Sequence, residues 1–221
     1  RLHNDADGKL KAWSLLTALN SLNGFEERLD RKRPKGFTYS KGFRGPNWLD
    51  NRQTTAAFLN KDPAVLVVGC GQAGLSIAAR LGQLNVDTLI IDQAERIGDN
   101  WRNRYHRLSL HNQTHVNHLP YMQFPPNWPA YIPKDKLAGW FEAYAESMEL
   151  NVWNNTKFMG GIYDEEKKHW YIEIRRSDET VREITPRHII MATGVSGIPN
   201  RPKITGLNEF KGTVVHSSEY K

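Results

Sequence analysis

A chain of 221 residues with 39% hydrophobic side chains carries enough apolar surface for a packed core, and its length corresponds to about one and a half ordinary domains. The single cysteine, Cys70, excludes an internal disulfide, a Cys-x-x-Cys redox centre and a multi-cysteine zinc site within these residues. A net charge of +6 is too small and too dispersed to argue for nucleic acid without a matching motif; no apolar run approaches the ~18 residues of a membrane span, and the first residues lack a secretory pattern, so the expectation is a soluble, cytoplasmic protein.

The chain opens on Arg1 rather than Met, which reads as a piece of something longer. Asp5-Ala6-Asp7-Gly8 signals a hairpin turn. Trp13, Leu16, Leu19 and Leu22 would also suit a helix face, but the hairpin is the favoured reading. The basic run Arg31-Lys32-Arg33-Pro34-Lys35-Gly36 and the stretch Gly42-Phe43-Arg44-Gly45-Pro46-Asn47 read as a solvated linker rather than a nuclear address. Residues 1–30 are then the end of a preceding domain, 31–62 a linker, and 63–221 a separate domain. Val65 to Val68 is a continuous apolar run suited to a strand buried on both faces. A helix is predicted from Gly74 to Leu84, with Leu75, Ala78, Ala79 and Leu81 at helical spacing, and Val86 to Asp92 reads as a second buried strand. Past a Pro-rich stretch, Leu137, Trp140, Phe141, Tyr144, Ala145 and Met148 mark one face of a helix opened by Pro133. Lys157 to Tyr163, Trp170 to Arg175 and Val181 to Thr185 form an antiparallel meander, and His188 to Ala192 a last strand. The class is α/β, a parallel sheet with an inserted β-meander.

The chemistry gathers around Gly69-Cys70-Gly71-Gln72-Ala73-Gly74, a G-x-G-x-x-G between a strand and a helix. Glycines there allow a tight turn, close approach of backbone to a pyrophosphate and close helix packing, and the helix N-terminus aims N–H groups at the phosphates. Asp92 ends the second strand, where a carboxylate accepts from both hydroxyls of an adenosine ribose. An acid at that point suits a ribose without a 2′-phosphate, so the ligand of this turn is FAD or NAD and not NADP.

Three further motifs resemble the flavin-containing and Baeyer-Villiger monooxygenases. Ile97-Gly98-Asp99-Asn100-Trp101-Arg102-Asn103-Arg104-Tyr105 is similar to their G-G-x-W loop, with Asp99 in place of the second glycine, and Met191-Ala192-Thr193-Gly194 resembles the A-T-G return strand of two-dinucleotide-fold flavoproteins more widely. Phe210-Lys211-Gly212-Thr213-Val214-Val215-His216-Ser217-Ser218-Glu219-Tyr220 matches the F-x-G-x-x-x-H-S-x-x-Y motif at every fixed position. Arg107 to His111, Leu119 to Pro125 and Tyr131 to Lys134 are most similar to the YUCCA-type branch. The resemblance, covering roughly 63–221, implies an FAD-binding, Rossmann-like two-dinucleotide fold ending before its NADPH domain. It implies a reaction in which NADPH reduces FAD, O2 gives a peroxyflavin, and one oxygen atom passes to nitrogen, sulfur or a carbonyl of a small organic substrate. It assigns cofactor contacts to Gly69, Gly71, Gln72, Ala73, Gly74, Asp92, Asn100, Trp101, Arg104, His111, Thr193 and Gly194. It gives Phe210, Gly212, His216, Ser217 and Tyr220 a role at the joint with the NADPH domain. It also implies that these 221 residues by themselves do not turn over.

Other readings carry less. His106, His111, His115 and His118 are close in sequence, but Pro120, Pro125 and Pro126 crowd the same stretch, so no metal is expected. Cys70 reads as a small spacer rather than a reactive thiol. Trp140, Phe141 and Tyr144 read as core, whereas Trp128 and Tyr131 are candidates for a substrate channel. The partners are then a small organic substrate and O2. The alternatives are another two-dinucleotide FAD/NAD(P) oxidoreductase or a catalytically silent FAD-binding module.

Overall fold

The computed structural model describes residues 2–220 apart from 13, 19, 20, 35, 37–43 and 196. Trp13, Leu19, Lys35, Gly42, Phe43 and Lys221 of the readings above lie outside the described residues. Residues 1–34 and 35–221 form two units.

In the first unit, β1 (Leu2–Asn4) and β2 (Leu10–Ala12) pair antiparallel with Asn4 opposite Leu10, which is the expected hairpin. Gly8, at φ 71°, supplies the left-handed residue of its turn, where the Gly8 amide donates to Asp5 O at 2.8 Å. The Asp5 carboxylate pairs with the Lys11 ammonium across the turn.

The second unit begins with α1 (Trp48–Ala57), inside the stretch read as a linker. Its apolar residues show no stripe and none of its side chains is buried, so periodicity gave no signal. A reciprocal cap starts it: Asn47 Oδ1 accepts from the Asp50 amide at 2.9 Å, and Asp50 Oδ2 from the Asn47 amide at 2.8 Å. Individual hydrogen bonds fasten it to the rest of the unit. Trp48 Nε1 donates to Glu149 Oε1 at 2.7 Å and Trp153 Nε1 to Ala56 O at 2.7 Å. The helix ends at Phe58, in the left-handed region and buried.

Next come β3 (Val65–Val68), α2 (Gln72–Gln83) and β4 (Thr88–Ile91), the expected βαβ unit. They are followed by α3 (Asp99–Arg102), β5 (Ser109–Gln113), β6 (Tyr131–Pro133), α4 (Lys134–Ser147) and β7 (Val152–Trp153). The meander is β8 (Thr156–Asp164), β9 (His169–Arg176) and β10 (Val181–Ile184), and β11 (His188–Met191) returns to the first sheet. That sheet is parallel, in the order β11–β3–β4–β7, with Val65 opposite both His188 and Thr88. β3 is therefore central, and the chain leaves it on one side and returns on the other. This makes a switch point between β3 and β11.

Alternation along the strands separates two cores. Val65, Val67 and Ile90 face α2 and α4, meeting Leu75, Ala78, Leu137, Phe141 and Tyr144. Leu66, Val68, Leu89 and Ile91 face the other way, meeting Phe58, Trp153 and the meander residues Ile172, Ile174 and Ile184. Strands buried on both faces explain the continuous apolar runs. The layers are helices, parallel sheet and meander, and the ligand end of the sheet stays free for loops.

Asn47→Ala, which removes only a cap, is expected to lower unfolding free energy by about 1 kcal/mol. Phe141→Ala, which opens the core under α4, is expected to cost roughly 3–5 kcal/mol. Urea unfolding measures both, and equal losses would contradict this division between surface cap and core.

Candidate functional site

The three glycines of the turn do three separate things. Gly69 leaves β3 at φ 108°, and a Cβ on it would lie 2.4 Å from Ala192 O, just past β11. The turn after β3 can thus approach the Ala192 carbonyl this closely because residue 69 has no side chain. A Cβ on Gly74 would lie 1.9 Å from Gly69 O, so α2 packs on its own turn only with glycine there. Gly71, the N-cap of α2, is different: a Cβ there would meet only Asn100 Nδ2, at 3.3 Å. Its surroundings are open, and no side chain caps the helix. The positive end of α2 and its first N–H groups therefore remain available to an anion.

Asp92 stands where β4 ends. Its backbone is held from both sides, the amide donating to Trp153 O at 3.0 Å and the carbonyl accepting from the Thr156 amide at 2.9 Å. Its carboxylate accepts from the Cys70 amide at 2.7 Å and the Ala94 amide at 2.8 Å. Each oxygen keeps further acceptor capacity, which two ribose hydroxyls can use. Burial, with the same negative charge added to it, pushes the Cys70 thiol up from its ordinary 9.0 to about 12. Cys70 is thus a buried spacer and not an activated nucleophile.

Asn100 on α3 reaches Gly71, and the amide of Thr193 lies 3.3 Å from where a Gly69 Cβ would be. Gly194 follows at φ 74° with nothing within 4 Å of its built Cβ. Gly69, Gly71, Gln72, Ala73, Gly74, Asp92, Asn100, Thr193 and Gly194 therefore gather at one end of the sheet. Trp101 is half-buried against the α2–α4 core, with its Nε1 buried and unpaired among the described residues. Arg104 and His111 are exposed, and no hydrogen bond or ion pair joins either to the glycine turn among the described residues.

A cavity of about 310 Å3 runs beside the first turns of α2, between Gln72, Ala73 and Ser76 on one side and Val116 to Leu119 on the other. His118 is fixed there by the Phe124 amide, which donates to its Nδ1 at 2.9 Å. Among the described residues no three His, Cys, Asp or Glu side chains converge as a metal site would require.

The F-x-G-x-x-x-H-S-x-x-Y segment forms its own compact turn. The Phe210 ring lies against Gly212, where a built Cβ would come within 2.5 Å of the ring tip. The Ser218 amide donates to His216 Nδ1 at 3.1 Å, so a neutral ring carries its proton on Nε2, facing Asn200 O at 3.2 Å. The Tyr220 ring meets Tyr105, just past α3, with centroids 6.4 Å apart. Sequence reasoning missed the clamp that Trp153 and Thr156 place on Asp92, because it is made by backbone groups and leaves no residue pattern.

An uncapped helix end, an open N-cap glycine and an acid at the end of the next strand fit the diphosphate and ribose of an ADP-containing cofactor. This defines the class: an α/β dinucleotide-binding unit with its ligand crevice at the switch point of a parallel sheet. The chain belongs to the pyridine nucleotide-disulphide oxidoreductase family, which it matches over residues 66–221. It is 34% identical over 160 residues to the probable indole-3-pyruvate monooxygenase YUCCA8 of Arabidopsis thaliana, an alignment covering 71% of this chain and 38% of that protein. Among solved structures, a flavin-containing monooxygenase from Stenotrophomonas maltophilia gives a TM-score of 0.63 at 24% identity, over 72% of this chain and 47% of that one. The OTEMO complex with FAD and NADP gives 0.57 at 22% identity, over 73% and 31%. The fold is therefore that of these flavoproteins, and the resemblance expected from the motifs is borne out. The chain spans less than half the length of each of these proteins. With one cysteine, and that one buried, these residues hold no dithiol for disulphide chemistry.

A thiol reagent at pH 8 is expected to label Cys70 in the folded chain at least about 100-fold more slowly than in urea-unfolded chain, since burial and a suppressed thiolate act together. Because the folded thiol binds its proton more tightly than the unfolded one, its contribution to stability is lost as pH rises from 9.0 toward about 12. Equal labelling rates would contradict the buried placement.

Proposed function

We propose that this chain is the FAD-binding part of an FAD- and NADPH-dependent monooxygenase that adds one oxygen atom of O2 to nitrogen, sulfur or a carbonyl of a small organic substrate. The observation that carries this reading is the meeting of Gly69, Gly71, Gly74, Asp92 and the Ala192–Gly194 return at the switch point. The monooxygenase names of its relatives, and the FAD and NADP of the OTEMO complex, support the cofactor pair. Bound FAD would supply hydride acceptance from NADPH and activation of O2.

The chain's own residues bind and orient. The N–H groups of Gln72 and Ala73 at the head of α2 hold the diphosphate, and open Gly71 lets it approach. Asp92 holds the adenosine ribose through both hydroxyls. Asn100 and Trp101 serve the flavin half, with Arg104 and His111 at its border, and Thr193 with Gly194 lines the return. Phe210, Gly212, His216, Ser217 and Tyr220 form the joint toward the NADPH-binding part, where His216 links and does not act as an acid or base. The cytoplasm is the compartment in this reading. Among the described residues no helix is long and apolar enough to cross a membrane.

Mass spectrometry of ligand released from the purified chain is expected to give FAD, not FMN or NAD. Asp92→Ala is expected to weaken FAD binding by about 1–3 kcal/mol, because two hydroxyls lose their acceptor. An unchanged dissociation constant in that variant would remove the ribose assignment, and absence of any flavin binding would remove the function.

A further inference from the structure

The α3 turn departs from the monooxygenase loop at one position, Asp99, and the structure gives that departure a role. Asp99 Oδ2 accepts from the Arg96 amide at 3.0 Å and Oδ1 from Arg102 Nη1 at 2.9 Å. Arg102 also donates through Nη1 to Ile97 O at 2.7 Å, and its Nη2 lies 2.9 Å from Glu142 Oε2 on α4. Arg96 closes the ring, with Nε and Nη2 on the two Glu142 oxygens at 2.9 and 3.0 Å. The Asp99 and Arg102 side chains are only 15% and 19% exposed, so solvent screens this pair less than a surface pair. Glycine at position 99 could make none of the side-chain bonds.

A single helical turn has little stability of its own, yet α3 carries Asn100 and Trp101. It is pinned to α4 by the charge ring and by Gly98, whose built Cβ would lie 2.6 Å from Ala138 O. Lys134 adds a bond from its buried ammonium to Arg102 O at 2.9 Å. α4 is in turn fixed to the sheet by Leu137 and Phe141. The chain of supports runs from the core through α4 and the charge ring to the side chain that lies over Gly71.

We propose that Asp99 is a positioning residue which, through the Arg96–Asp99–Arg102–Glu142 ring, holds Asn100 over Gly71 and so sets the affinity for the diphosphate and flavin half of FAD. The proposal rests on the function inferred above. It divides the ligand: the adenosine end depends on Asp92, the diphosphate on the head of α2 together with Asn100 beside Gly71, and the flavin half on α3.

Calorimetry with FAD and with AMP, on the unsubstituted chain and on Asp99→Gly and Glu142→Gln, tests it. Asp99→Gly is expected to raise the FAD dissociation constant about tenfold and that of AMP less than about twofold. Glu142→Gln, on the α4 surface and outside the cofactor contacts, is expected to act in the same direction with a smaller effect, and stands in should the glycine variant not fold. FAD binding unchanged in both variants would overturn the proposal while leaving the function intact, as would an equal loss for AMP and FAD, which marks general loosening. An unsubstituted chain that binds AMP but not FAD would overturn both.

Discussion

The contact on which this structure depends is between two backbones: Ala192 O occupies the space that a side chain on residue 69 would need. Because residue 69 puts no side chain there, the turn after β3 and the return after β11 lie against one another at the ligand end of the sheet. α2 can then start immediately, and it packs down onto the turn because residue 74 is also without a side chain. Everything proposed for the site follows from this closeness. The helix end, the acid on β4 and the return strand converge on a crevice because the turn that joins them occupies almost no volume.

Around this turn the fold supplies rigidity in layers. Strands buried on both faces hold the crevice from below, with α2 and α4 on one side and the meander on the other. Asp92 is positioned by backbone bonds to Trp153 and Thr156, so the first residue of the meander helps to hold that acid at the end of β4. Trp153 is itself tied to α1 through Ala56 and lies under the Arg176 guanidinium, 4.2 Å from the ring centroid. The order of placement thus runs from core to clamp to carboxylate.

Much of this was legible in the sequence where one physical rule acts alone. Val65 to Val68 and Leu89 to Ile91 are apolar at every position because both faces are covered, and the glycine spacing is dictated by sterics. What escaped was structure made by particular partners. α1 is held by side-chain bonds at its ends and has no stripe to read. Asp99 stands out in the sequence only as a departure from a motif, and its meaning lies in Glu142, more than forty residues away in sequence. The contact of Tyr105 with Tyr220 likewise joins two motifs through space, with nothing in either to announce the other.

The most direct test of the central claim is to map where an adenine nucleotide touches the chain. In a heteronuclear NMR titration with ADP, the largest amide shifts are expected on Cys70 to Gly74, with smaller ones at Asp92 and Thr193. Shifts concentrated away from the turn, for example on the basic cleft of Lys157, Arg175 and Arg176, would contradict it.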